Sequence, residues 1–128
     1  IIIMLQVTSP LRRSKHIKQA IQKLVNNNLD ALWSISEVDK KYSPLKQLKL
    51  HKNYLRYDNP VGSKIIRRQQ LNKTYIRNGA VYAFTRKTIL SHTLLPKKSG
   101  YLLIKEKQIS IDNHKDINSL KKILKIEK

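Results

Sequence analysis

Gln6 is the first side chain whose type and position suit ligand binding. Residues 1–7 form an apolar, β-branched run that predicts a buried strand ending at Thr8-Ser9-Pro10. The sheets of α/β proteins bind ligands at the ends of such strands, where a side-chain amide both donates and accepts hydrogen bonds. The alternative is that Gln6 satisfies the backbone of the loop that follows it.

Arg68 and Tyr82 are the next candidates, and they lie 14 residues apart in the sequence. A guanidinium fork holds a carboxylate through two parallel hydrogen bonds, so Arg68 suits a carboxylated ligand. An aromatic ring such as that of Tyr82 can line a binding pocket. By residue type alone, however, an arginine such as Arg68 is more often an ordinary surface cation, and a tyrosine such as Tyr82 is more often an ordinary core residue.

Asp112 lies near the end of the sequence, and Asp116 follows it four residues later. A carboxylate suits a hard cation such as Mg²⁺, whereas Ser110, two residues before Asp112, offers only a neutral and weaker oxygen. The alternative is that Asp112 caps the last helix, a favoured position for aspartate. No residue is assigned a catalytic role.

Asn78-Gly79 separates a basic, aromatic run from the apolar run Ala80–Phe84. Asn-Gly between two β-prone runs is typical of a hairpin turn, because both residues tolerate positive φ. Alternatively, the pair opens a single strand that is buried on both faces of a sheet. Periodicity does not separate the two interpretations.

The remaining patterns predict an α/β fold. A helix capped by Ser14 separates the first strand from a second, Ala31–Val38, and strand, helix and strand at this spacing form a right-handed βαβ unit. Residues 42–66 predict a small antiparallel hairpin. A last helix follows Asp112. We therefore expect a mostly parallel sheet with a small antiparallel hairpin.

The composition is strongly basic, with 27 Lys and Arg against 8 Asp and Glu, a formal net charge of +19. Such an excess of positive charge is typical of proteins that bind phosphates or nucleic acids. The basic residues are nevertheless scattered, and A/T-rich codons would load the surface with lysine in the same way. A small basic nucleic-acid-binding domain is therefore the alternative hypothesis. It predicts binding that falls steeply with salt and needs neither Mg²⁺ nor a sugar.

The rest of the composition excludes several classes of protein. The chain has no cysteine, which leaves no disulfide or thiolate site, and its four histidines lack metal-ligand spacing. The apolar start is too short to span a bilayer and lacks the basic leader of a signal peptide. We therefore expect a cytoplasmic protein.

Three stretches, taken together and in this order, form a recognisable pattern. They are Leu5–Arg12 (LQVTSPLR), Arg68–Tyr82 (RQQL, then Tyr75, then NGAVY), and Ser110–Asp112 followed by Asp116. Together they resemble the acylneuraminate cytidylyltransferases, the CMP-sialic acid synthetases. The resemblance implies a partial nucleotide-diphospho-sugar-transferase-like, Rossmann-like fold. It implies further that residues 1–128 are a single C-terminal portion of such a domain, with residues 42–66 as a dimerisation hairpin.

The resemblance also implies a function. Such enzymes join a nonulosonic acid of the sialic type to CTP, with Mg²⁺, giving a CMP-sugar and pyrophosphate for lipopolysaccharide or capsule biosynthesis. By resemblance, Gln6, Arg68 and Tyr82 contact the sugar, and Asp112 matches the second of two metal-binding aspartates, the first being replaced by Ser110. A homodimer is implied. The nucleotide-binding loop of the family has no counterpart here, so we expect an incomplete or inactive fragment, with a degenerate remnant as a further alternative.

Overall fold

The computed structural model describes residues 1–125 and divides them into two compact units. The sheet unit comprises Ile1–Ser36 and the chain from Arg77 onward, and the hairpin unit comprises Glu37–Ile76. The strands are β1 Ile2–Met4, β2 Ala31–Val38, β3 Leu48–His51, β4 Tyr54–Tyr57, β5 Thr74–Phe84 and β6 Ser99–Leu103. The helices are α1 Ser14–Asn26, α2 Arg86–Leu90 and α3 His114–Ile123, with short 3-10 turns between β2 and β5.

The main sheet has four strands in the order β1-β5-β2-β6. Strand β5 pairs antiparallel with β1, Ile2 opposite Phe84, whereas β2 and β6 run parallel, Ala31 opposite Ser99. The predicted α/β class is confirmed, and the sheet is mixed, combining parallel and antiparallel pairs.

Helix α1 covers one face of this sheet because its apolar residues recur at helical spacing. Ala20 and Leu24 are buried against Leu32, Val81 and other residues of the sheet, with Ile17 partly buried beside them. The predicted cap at Ser14 is wrong by one residue, since Arg13 holds the extended N-cap conformation. Ser14 is instead the first helical residue.

The other face of the sheet carries a second, aromatic cluster of Ala31, Tyr82 and Phe84, with Trp33 and Ile89 packed against it. Phe84 is 1% exposed, and burying a side chain of that size contributes about 1.5–3 kcal/mol. Alternate residues of β5 therefore serve the two faces, which explains the unbroken apolar run that ends the strand.

Asn78 and Gly79 lie inside β5, so the hairpin interpretation of this pair is wrong. A two-residue hairpin turn of the Asn-Gly kind requires positive φ at both residues. Only Gly79 has it, at +73°, and the strand continues through it. The strand interpretation is therefore the correct one, although β5 begins earlier than predicted, at Thr74.

The hairpin unit contains β3 and β4, which pair antiparallel within residues 42–66, His51 opposite Tyr54. Lys52 turns the chain with a φ of +53°. Every residue of the two strands is exposed, including apolar ones. Among residues 1–125, no helix combines the length and apolar character needed to cross a membrane.

Candidate functional site

The Gln6 side chain lies directly against the backbone of Gly79. A Cβ atom built on Gly79 would stand 2.0 Å from Gln6 Oε1 and 2.7 Å from Ser9 Oγ, closer than real atoms approach. The backbone φ of Gly79 is also +73°, a conformation that residues other than glycine rarely adopt. Glycine at position 79 therefore leaves the space in which the Gln6 amide is held at the end of β1.

Arg12 fastens the loop after β1 to β5. Its Nη1 donates to the Gln6 carbonyl at 3.0 Å and to the Ala80 carbonyl at 3.3 Å. Hydrogen bonds from a charged donor are among the stronger ones in proteins, so this pair holds the Gln6 backbone in register with the strand. In the sequence, Arg12 appears only as part of a motif. Only the structure shows that its side chain links the Gln6 and Ala80 carbonyls.

Asn78 anchors the same point of β5 through a polar network with β2. Its Oδ1 accepts from Ser34 Oγ at 2.6 Å, and its Nδ2 donates to Ser36 Oγ at 2.9 Å. Ser34 in turn accepts from the Val81 N–H at 2.8 Å. A partly buried network satisfied in this way rigidifies its surroundings. Asn78 therefore has a structural role, and the paired serines of β2 were the signal in the sequence.

The third motif runs beside the same loop. The Ile111 N–H donates to the Thr8 carbonyl at 2.9 Å, which brings the backbone preceding Asp112 to the segment that follows Gln6. Asp112 is exposed, and its carboxylate makes no hydrogen bond within residues 1–125. The structure thus gathers parts of all three motifs around the end of β1.

The capping alternative for Asp112 is wrong, because Asn113 is the N-cap of α3 and its side chain accepts from the Lys115 and Asp116 N–H groups. Asp116 completes the cap, with Oδ2 accepting from the Asp112 and Asn113 N–H groups at 3.0 and 2.9 Å. Within the described part of the chain, no three acidic or histidine side chains are grouped to hold a metal ion. The exposed carboxylate of Asp112 could therefore join a metal site only together with ligands from outside residues 1–125.

Tyr82 is buried, with 3% of its surface exposed, and its ring centroid lies 4.9 Å from that of Trp33. Trp33 borders an apolar groove of about 350 Å³, whose wall includes Ile35, Leu95 and Tyr101. Arg77 closes one side, with its guanidinium 4.9 Å from the Trp33 ring centroid, a cation–π distance. The sequence analysis missed this groove, although Trp33 and Ile35 alternate on β2 as residues of one face do.

Arg68 belongs to the hairpin unit, where its Nη2 pairs with Asp39 Oδ1 at 2.8 Å. The pKa of Asp39 is lowered, first by the Lys41 N–H that its carboxylate accepts and then by the charges of Arg68 and nearby lysines. The Arg68 side chain is 64% exposed and uses one nitrogen in this pair. Its other donors face no partner among residues 1–125 and suit a second carboxylate.

No protein-family model matches the chain. Individual proteins of known name do match it. N-acylneuraminate cytidylyltransferases from three strains of Streptococcus agalactiae, of serotypes III, Ia and V, are each 34% identical to it over 116 residues. The match covers 89% of this chain and 28% of each relative. The chain thus spans little more than a quarter of their length, and the resemblance drawn from its three motifs is confirmed.

Proposed function

We propose that this homologue of N-acylneuraminate cytidylyltransferases supplies the sugar-binding side of an enzyme that activates a nonulosonic acid with CTP. In that reaction the anomeric hydroxyl of the sugar loses its proton and attacks the α-phosphate. The bond to the β-phosphate breaks, and a CMP-sugar and pyrophosphate result. The product would serve lipopolysaccharide or capsule biosynthesis.

One observation carries the proposal: the amide of Gln6 lies beside Gly79, at the point where the three motifs meet. Ligands of α/β proteins bind outside the ends of the sheet strands, and the Gln6 amide stands at such an end. Arg12 and Asn78 fix the backbone on either side of it. The Gln6 side chain is exposed, and its amide makes no hydrogen bond within residues 1–125, so it is available to orient sugar hydroxyl groups.

The groove beside Trp33 supports an acylated sugar as the ligand. An N-acyl group is small and apolar, and Ile35, Leu95 and Trp33 provide an apolar wall for it. Arg77 at the edge of the groove supplies positive charge for an anionic sugar. Tyr82, which lies behind Trp33, would support this wall from the core.

Arg68 remains the proposed partner of the sugar carboxylate, because its exposed guanidinium retains donors beyond the ion pair with Asp39. Asp112 would hold Mg²⁺ as one carboxylate ligand, with phosphate oxygens and water completing the shell. Bound there, the ion would neutralise the phosphate charge that develops in the transfer. The exposed Asp112 carboxylate fits that use, whereas Ser110 weakens it.

Titration calorimetry with N-acetylneuraminic acid tests the role of Arg68, with the neighbouring Arg67 as a matched control, since both are exposed arginines. Loss of a hydrogen bond to a charged group costs about 1.5–3 kcal/mol, so Arg68→Ala should weaken sugar binding at least tenfold. Arg67→Ala should leave it unchanged. Equal losses in the two variants would show that general positive charge, and not this fork, attracts the sugar.

We also propose that β3 and β4 form a self-association surface. Leu50, Tyr54 and Leu55 are 80%, 69% and 66% exposed, an unusual amount of apolar surface for a free hairpin. Leu50→Lys should shift the chain toward monomer in analytical ultracentrifugation, and Lys49→Gln should not. A monomer at all concentrations before mutation would rule out this surface.

A further inference from the structure

The groove beside Trp33 is larger than the smallest acyl group that the proposed function would place there, an acetyl group. An apolar cavity of about 150 Å³ holds a benzene ring. The open groove beside Trp33 has a volume of about 350 Å³, more than twice as much. An acetyl group consists only of a carbonyl and a methyl group, so it fills a small part of this space. The groove therefore leaves room for further carbon atoms.

The groove lies in the sheet unit, close to Gln6 along the strands. Ile35, in the wall of the groove, stands between the two serines of β2 that bond Asn78. Asn78 adjoins Gly79, beside which the Gln6 amide lies. Arg77 at the edge of the groove supplies positive charge that complements an anionic sugar. A sugar whose hydroxyl groups meet Gln6 can therefore extend a substituent toward this groove.

The wall of the groove offers few free polar atoms to a ligand. Trp33 Nε1 donates to the Leu94 carbonyl at 3.1 Å, and Ser99 Oγ donates to the Pro96 carbonyl. These hydrogen bonds also tie the segment that contains Leu95 to the sheet and so hold this wall in place. Burial of methylene groups is favourable, whereas burial of a hydroxyl group without a partner is costly. The wall therefore favours an acyl group made of hydrocarbon.

We propose that this groove selects the acyl group of the nonulosonic acid: it binds acyl chains longer than acetyl more tightly than acetyl, and hydroxylated acyl groups less tightly. The inference rests on the proposed sugar-binding function. Trp33 and Ile35 contact the chain from the sheet, and Leu95 contacts it from the loop. Each added methylene leaves water and should raise the affinity about twofold to fourfold. The hydroxyl of an N-glycolyl group lacks a partner in this wall and should lower the affinity about fivefold relative to N-acetyl.

The test is a titration of the whole chain with N-acetyl-, N-propanoyl-, N-butanoyl- and N-glycolylneuraminic acid, followed by calorimetry and by fluorescence. Trp33 is the only tryptophan of the chain, so its emission reports on the groove. The affinity should rise from acetyl to butanoyl and fall for glycolyl, and the Trp33 emission should shift to shorter wavelength as the chain covers the ring. Equal affinities across the four sugars would overturn the selection and leave the sugar site standing. A chain that binds none of them would overturn the proposed function and this inference with it.

Leu95 and Leu90 provide a matched pair of variants, because their side chains are 69% and 66% exposed. Leu95 borders the groove, whereas Leu90 lies on α2. Substitution of either exposed side chain should leave the fold intact. Leu95→Ala should reduce the advantage of N-butanoyl over N-acetyl at least about twofold, and Leu90→Ala should preserve that advantage. An advantage that survives Leu95→Ala in full, or that falls equally in the two variants, would overturn the assignment of the acyl chain to this groove.

Discussion

Gly79→Ala is the substitution that most directly tests how the site is built. An alanine at φ +73° costs about 1–2 kcal/mol in backbone strain. Its Cβ would also displace Ser9 Oγ, which donates to the Asn78 carbonyl at 3.3 Å, and a lost hydrogen bond of this kind costs about 0.5–1.5 kcal/mol. Summed, these contributions predict a loss of about 1.5–3.5 kcal/mol in the free energy of unfolding. Urea denaturation of both proteins measures it.

The same methyl group would stand 2.0 Å from Gln6 Oε1, so the Gln6 amide must also move. Gly79→Ala should therefore destabilise the chain less when Gln6 is already alanine, by at least about 0.5 kcal/mol, as expected for residues in contact. Gly100→Ala is the control: its φ is not positive, and its Cβ would meet only the flexible end of Leu29. It should destabilise the chain less than Gly79→Ala does, because it adds no backbone strain from positive φ. Strict additivity of the Gln6 and Gly79 changes would refute the packing argument.

Two further predictions concern charge. Asp116→Asn should destabilise the chain by about 0.5–2 kcal/mol, because its carboxylate caps α3. Asp112→Asn should leave the free energy of unfolding unchanged and reduce Mg²⁺ binding measured in the presence of CTP. If Asp112→Asn destabilises the chain and Asp116→Asn reduces Mg²⁺ binding instead, the assigned roles of the two aspartates are wrong. The pKa of His16 is lowered, chiefly by burial, from an ordinary value of 6.5. The unfolded chain then binds more protons, so stability should be full above about pH 6.5 and fall below it. Urea unfolding between about pH 5 and 7.5 should show this slope, and His114→Gln should retain it; a flat profile would contradict the burial argument.

The elements that depend on local periodicity could be predicted from the sequence. Strand β2 has the bounds that its alternation predicted, Ala31–Val38, and α1 begins within a residue of its expected cap. Each signal resides in a few neighbouring side chains, and burial of one face enforces the same pattern in the fold. The α/β class follows from the order of these segments.

The Asn78-Gly79 pair is a feature whose structural reason could not be predicted from neighbouring residues. Gly79 does have positive φ, whereas Asn78 does not, and the reason for the glycine lies 73 residues away in sequence, where the Gln6 side chain occupies the space beside Gly79. Both a tight turn and a close approach between distant segments require glycine, so the residue type does not distinguish them. The Arg12 bridge to Ala80 and the groove at Trp33 are long-range in the same sense. Asp112 differs, because its neighbour Asn113 competes for the same capping position and the sequence holds no signal that ranks them.

The most direct test of the central claim is titration calorimetry of the chain with N-acetylneuraminic acid, comparing the parent with Gln6→Ala and Gln22→Ala. Gln22 is an exposed glutamine on α1 and serves as the matched control. The account predicts measurable sugar binding that weakens about threefold to tenfold in Gln6→Ala, the worth of a hydrogen bond, and remains unchanged in Gln22→Ala. A parent chain that binds no sugar, or a Gln6 variant that binds it as well as the parent, would contradict the assignment of a sugar site to the end of β1.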